Sequence, residues 1–134
     1  MTYKGNVTSL EAAEALAADA NAVLLDVRTD AEWNYVGVPA VENVYFVSWI
    51  FYPSGEFNGE FMKQVEETGI NKDQTLYIIC RSGVRSAAAA SLLTAAGFKE
   101  CYNVSDGFEG DKDSFGHRET GEGWKHCGLP WQQG

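Results

Sequence analysis

The chain has 134 residues, 45% of them hydrophobic and 22% charged, which suits one soluble globular domain with its own core. No apolar run approaches the roughly 18 residues that would cross a membrane. The formal net charge of -9 argues against nucleic acid or an anionic membrane as the main partner.

The first residues, Met1 to Asn6, lack the apolar core of a secretory signal, so a cytoplasmic protein is the simpler expectation. Thr8-Ser9-Leu10-Glu11 has the form of a capping box. It opens an Ala-rich helix expected to bury Leu10, Ala13 and Leu16 or Ala17 and to end near Asp19. Ala22 to Val27 is a continuous apolar run, as a strand buried on both faces should be. Asp30 is expected to cap a short helix through Ala31, Glu32 and Trp33. Val44 to Val47 forms a second strand. Gly59 to Thr68 carries Phe61, Met62 and Val65 at helical spacing, and Gly69 stops it. Thr75 to Ile79 is the strongest strand and runs straight into Cys80. Ser86 to Ala96 is a helix ended by Gly97, and Glu100 to Val104 is the last strand. Beyond Asp106 the sequence predicts loop with one late helical turn. Strands separated by helices imply an α/β fold: a mainly parallel central sheet with helices on both faces. No repeat, low-complexity segment or linker divides residues 1–134, so a single domain is expected.

Three cysteines, Cys80, Cys101 and Cys127, are an odd number with wide spacings. They fit neither a disulfide framework nor a close-set metal pair. A reducing compartment and a free thiol with a task follow. Of only ten basic residues, Arg81 and Arg85 lie within six positions beginning at Cys80. The segment Cys80-Arg81-Ser82-Gly83-Val84-Arg85-Ser86 joins a strand end to a helix start. Ligands of open α/β sheets bind at such strand ends, and a helix N-terminus favours an anion. Gly83 permits a turn in which successive N–H groups converge. This setting is expected to lower the Cys80 pKa and hold the attacking thiolate form. A buried inert thiol is the plainer alternative, but it has no need of arginines.

Four groups of residues carry a resemblance. They are Leu25 to Trp33 with Gly37-Val38-Pro39, then Cys80 to Ser86, then Asn103 to Gly110, and finally Gly123-Trp124-Lys125 with Gly128-Leu129-Pro130. Together they resemble a single-domain rhodanese, a thiosulfate or persulfide sulfurtransferase. The resemblance implies that Cys80 carries a persulfide between two half-reactions. It implies that the amides of Arg81 through Ser86 cradle the outer sulfur. Arg81 and Arg85 would attract a small anionic donor such as thiosulfate, and a thiol, a protein or cyanide would accept the sulfur. Asp26 and Arg28 would brace the loop, an Arg28–Glu32 salt bridge being the alternative. No cofactor and no metal are implied. Two departures stand out. The family often has Gly-His-Ile-Pro where this chain has Gly37-Val38-Pro39. The aromatic stretch from Trp49 to Phe57 is longer than in many small rhodaneses; it is either extra packing, the simpler reading, or a wall of the site or a partner surface.

Three rival functions can be weighed. Phosphatases with a related cysteine loop use Cys-x5-Arg, whereas Arg85 closes a Cys-x4-Arg ring, better sized for one sulfur atom than for a phosphoryl group. Asp106 or Asp111 would have to serve as the general acid. A docking module or persulfide carrier with little turnover is the second rival. A redox pair of Cys80 with Cys101 or Cys127 is the third. His117 and the His126-Cys127 pair lack further ligands for a metal site, and Glu109, Asp111 and Asp113 read as solvated loop charge. Trp33, Trp124 and Trp131 are expected to cover the sheet or close the tail over it.

Overall fold

The structure is a computed structural model that describes residues 2–133; Met1 and Gly134, the ends of the expected domain, lie outside them. Its elements in chain order are β1 (Gly5–Val7), α1 (Ser9–Ala18), β2 (Val23–Asp26), α2 (Asp30–Tyr35), β3 (Val38–Pro39), β4 (Val44–Phe46), α3 (Phe61–Glu67), β5 (Thr75–Ile79), α4 (Val84–Ala95), β6 (Glu100–Val104) and β7 (Trp131–Gln132). A five-stranded sheet has the order β1-β6-β5-β2-β4, and every pairing within it is parallel. This is the mainly parallel α/β architecture expected from the sequence.

Alternation along the central strands explains the continuous apolar runs. Val23, Leu25, Leu76, Ile78 and Cys80 point to one face, where they meet Phe61 and Val65 of α3 and Ala89, Ala90 and Leu93 of α4. Leu24, Tyr77, Ile79 and Val104 point to the other face, against Ala12 of α1, Phe108 and Trp124. Side chains alternate with a period of two, so a strand covered on both sides must be apolar throughout. Cys80 therefore leaves the sheet on the α3/α4 face, at the carboxyl end of a central strand.

Several local expectations need correction. On α1, Leu10 is exposed and Ala17 faces solvent, while Ser9 and Ala12 are buried. The helix is turned by Ser9, whose N–H and hydroxyl both donate to Asp106 Oδ1, at 2.8 and 2.9 Å. Thr29, not Asp30, caps α2, in a second capping box closed by Glu32. The helix expected from Ser86 begins at Val84, because Gly83 is its N-cap. Strand β1 was not foreseen. Glu100–Val104 is not the last strand: β7 pairs antiparallel with β3 in a two-stranded ribbon. The expected late helical turn is present, closed from Cys127 N–H to Gly123 O at 3.0 Å. Among the described residues, no helix is long and apolar enough to cross a membrane.

Candidate functional site

The chain leaves β5 at Ile79 and wraps residues 80–86 around the Cys80 sulfur before entering α4. Cys80 Sγ accepts hydrogen bonds from the backbone N–H of Gly83 at 3.1 Å and of Ser86 at 3.3 Å. These donors come from the start of α4, where N–H groups have no partner within the helix. Ser86 Oγ lies 3.2 Å from the same sulfur. The loop can turn its N–H groups inward because its carbonyls are held from outside. Phe108 N–H donates to Cys80 O at 2.8 Å, and Glu109 and Gly110 N–H donate to Arg81 O at 3.0 and 3.2 Å. Segment 103–110, noted in the sequence only as a motif, is thus the outer jacket of the cysteine loop. Two glycines permit the fit. Gly83 has φ +99°, and a Cβ there would sit 2.3 Å from Ser105 O; a Cβ on Gly107 would sit 2.3 Å from Arg81 O.

The two loop arginines have different surroundings. Arg85 forms a two-point ion pair with Glu32, at 2.7 and 2.9 Å. It is therefore not the free cation expected from its position. Burial pushes the Glu32 carboxyl up, but the Arg85 hydrogen bond and charge, the Thr29 N–H and the Arg28 charge outweigh it and hold the group below its ordinary value. Burial likewise pushes Arg85 down, and Glu32 more than reverses it. Because the folded Glu32 value is lowered, the pair's contribution is full above the ordinary carboxylate range and is lost only as pH falls through the folded value. Arg81, by contrast, is exposed. Burial pushes the Glu109 carboxyl beside it up, and the Arg81 charge offsets part of that.

Asp26 and Arg28 are both fully buried and paired through Arg28 Nε and Nη2, with contacts of 2.7–3.1 Å. The alternative Arg28–Glu32 bridge is not formed. Arg28 Nη2 also donates to Gly37 O at 2.8 Å, and the guanidinium lies over the Phe108 ring at 4.2 Å. Since Phe108 N–H holds Cys80 O, the pair reaches the loop through one intermediate residue. Gly37 faces the Trp131 ring, so the missing family histidine falls at the β3–β7 ribbon.

A cavity of about 830 Å³ opens above Cys80. Glu32, Arg81, Arg85 and Arg118 supply its charged side, and Tyr35, Ile50, Phe51, Tyr52, Pro53 and Val84 its apolar side. The aromatic stretch therefore divides. Trp49 packs on Phe57 and Phe61, with ring centroids 4.8 and 4.9 Å apart; Ile50, Phe51, Tyr52, Pro53 and Gly55 form a wall of the cavity, which corrects the simpler packing reading for that part.

Among the described residues, Cys80 is the one cysteine lining this cavity. Cys101 pairs with Leu76 across the β5–β6 ladder, four residues before Cys80. That offset is about 13 Å along a strand, too far for a disulfide. Burial pushes the Cys101 thiol up, slightly relieved by Thr94. Burial, with Asp106 and Glu122, also pushes Cys127 up. Asp106 is occupied as a tie, accepting from Ser9 and from Gly123 N–H at 3.1 Å; neither it nor Asp111 lines the cavity. Among the described residues no three His, Cys, Asp or Glu side chains gather as a metal site. Trp124 is fully buried under the sheet and Trp131 stays partly exposed. Three site residues escaped the sequence reading: Glu32, Asn103 and Arg118, the last a cavity-lining cation in a loop that carries no motif. Glu32 was weighed only as a partner for Arg28, though the Thr29-x-x-Glu32 spacing marked it as a cap. Asn103, a buried polar residue in an apolar strand, carried a signal in its contrast with its neighbours.

The family model described as STR4 middle domain, a rhodanese-like family, matches residues 4–134. The chain belongs to the rhodanese-like family. Among solved structures, the crystal structure of Rv0390 from M. tuberculosis is similar with a TM-score of 0.90 and 42% identity, covering 98% of this chain and 99% of that one. An uncharacterized protein of Rickettsia conorii is 39% identical over 130 residues, 95% of this chain and 96% of the relative. Rhodanese-like domain-containing protein 4, chloroplastic, of Arabidopsis thaliana is 32% identical over 119 residues, 87% of this chain but 23% of that larger protein. Thiosulfate sulfurtransferase 18 of the same plant is 35% identical over 85 residues, 63% of this chain and 62% of the relative. The rhodanese-like loop is thus set in a rhodanese-like sheet throughout.

Proposed function

We propose that this protein is a sulfurtransferase that moves a sulfane sulfur from a small anionic donor such as thiosulfate to a thiol or cyanide through a Cys80 persulfide. The observation that carries the reading is the Cys80 sulfur at the cavity floor, with the Gly83 and Ser86 N–H groups aimed at it. In the first step the Cys80 thiolate attacks the outer sulfur of thiosulfate. The Sγ–S bond forms, the donor S–S bond breaks, and sulfite leaves with the electron pair. In the second step an acceptor thiolate or cyanide attacks the outer persulfide sulfur, and the Cys80 thiolate leaves. Backbone donors fixed where negative charge sits need no rearrangement during reaction. No step calls for a cofactor. The relative named as a thiosulfate sulfurtransferase supports the class of reaction.

The phosphatase reading loses its main parts: the Cys-x4-Arg ring is short, its arginine is paired with Glu32, and Asp106 is committed elsewhere. A protein acceptor, making the domain a persulfide carrier, is favoured over cyanide by the exposed Phe51 and Tyr52 on the cavity wall. Cys80→Ala should abolish thiocyanate formation from thiosulfate and cyanide without changing the fold. Thiocyanate made at the wild-type rate by that variant, or brisk hydrolysis of p-nitrophenyl phosphate by the wild type, would sink the reading.

The Glu32–Arg85 pair gives a less obvious expectation. Glu32 neutralises Arg85, one of three cavity-lining arginines, so donor anions meet mainly Arg81 and Arg118. Glu32→Gln keeps a side-chain oxygen for the Thr29 cap and releases the Arg85 charge. The thiosulfate KM should fall about fivefold, equivalent to about 1 kcal/mol for a partly buried charge. Steady-state kinetics at fixed ionic strength measure it, and an unchanged or raised KM would show that Arg85 does not meet the donor.

A further inference from the structure

Ser86 Oγ stands between two acceptors, Cys80 Sγ at 3.2 Å and Asn103 Oδ1 at 2.5 Å. A hydroxyl has one proton to donate. The orientation of the Asn103 amide is fixed independently. Its Nδ2 donates to Gly83 O at 3.2 Å and to Asn6 Oδ1 at 3.1 Å. Gly83 O is a backbone carbonyl and can only accept, so the amide nitrogen must face it and the amide oxygen must face Ser86. Asn103 Oδ1 therefore takes the Ser86 proton over the shorter contact. The Ser86 hydroxyl meets Cys80 with a lone pair, as an acceptor for the thiol proton. Ser86 and Asn103 are both buried, so the hydroxyl proton is held by the amide oxygen rather than by solvent.

Resting on the sulfurtransferase reading, we infer that Asn103 is a positioning residue that withholds the Ser86 proton from the Cys80 thiolate. The sulfur is left with its two backbone donors alone. A thiolate with a further hydrogen bond is a poorer nucleophile and a better leaving group. Holding that proton back therefore favours attack on the donor and slows release of the sulfur from the persulfide. The device tilts the protein toward its loaded form, as a carrier requires. The electron bookkeeping is that of the two steps above; Asn103 touches neither reacting sulfur and acts through Ser86.

The test separates the half-reactions in stopped-flow, with thiosulfate as donor and cyanide as acceptor, at a pH where rates no longer vary with pH. The variants are Asn103→Ala and Asn103→Val, the second suited to a strand should the first fold poorly. Each lets the Ser86 hydroxyl turn to the sulfur. Loading by thiosulfate should slow, and discharge by cyanide should quicken, each by about threefold or more. In a Ser86→Ala background the same substitutions should lose this opposed effect. Damage to the loop alone would slow both steps together, and that parallel loss would overturn the inference. So would an opposed effect that persists without the Ser86 hydroxyl. A wild-type protein that takes no sulfur from thiosulfate would overturn the sulfurtransferase reading itself, and this inference with it.

Discussion

Asp26→Ala is expected to cost about 3–5 kcal/mol of folding stability, the range for removing one partner of a buried ion pair. The reason is the guanidinium left behind. Arg28 is fully buried, and three of the four hydrogen bonds of its guanidinium go to Asp26. Without the carboxylate, the cation keeps Gly37 O and the Phe108 ring, and its Nη1 already has no hydrogen-bond partner. A domain of this size has about 5–15 kcal/mol in total, so the variant should lie near the edge of folding. Urea unfolding measures the loss. A change under about 1 kcal/mol, typical of solvated pairs, would mean that the pair is not sealed as described. The damage should extend to sulfur loading, because Phe108, which lies against Arg28, also holds the Cys80 carbonyl.

Gly83→Ala should have the second large effect, on activity more than on stability. Residue 83 adopts φ +99°, and an added Cβ would meet Ser105 O at 2.3 Å. That oxygen cannot withdraw easily, because Ser105 N–H is bonded to Val7 O at 2.9 Å along the β1–β6 edge. The loop must move instead. The strained torsion costs about 1–3 kcal/mol. Displacing the Gly83 N–H removes one of two backbone donors to the sulfur, and losing such a donor lowers rates by about 100-fold or more. Loading rates near the wild-type value, in a variant that folds, would show that the Gly83 donor is not used.

These two positions show why parts of the molecule were legible from sequence and others were not. The Cys80 loop was readable because its determinants are consecutive: a buried strand, a glycine and a helix start within a dozen residues. The sheet was readable because Ala22–Leu25 and Leu76–Ile79 are apolar without interruption, a pattern that burial on both faces requires. The Glu32–Arg85 pair spans 53 residues of sequence, and only the packing of α2 beside the loop brings it together. The same is true of Asn103 and Gly83. Leu10 misled because helical spacing alone placed it inward, whereas the hydrogen bonds of Ser9 to Asp106, 97 residues away, set the helix face. Strands β1, β3 and β7 have two or three residues each, too few to show alternation.

Cys80, at the floor of its cavity and held by two N–H groups, is the point on which the account turns. Intact-mass measurement after incubation with thiosulfate, with excess donor removed, tests it most directly. The wild-type protein should gain the mass of one sulfur atom and lose it on addition of cyanide, while Cys80→Ser should gain none. No added sulfur on the wild type, or the same gain on Cys80→Ser, would contradict the account.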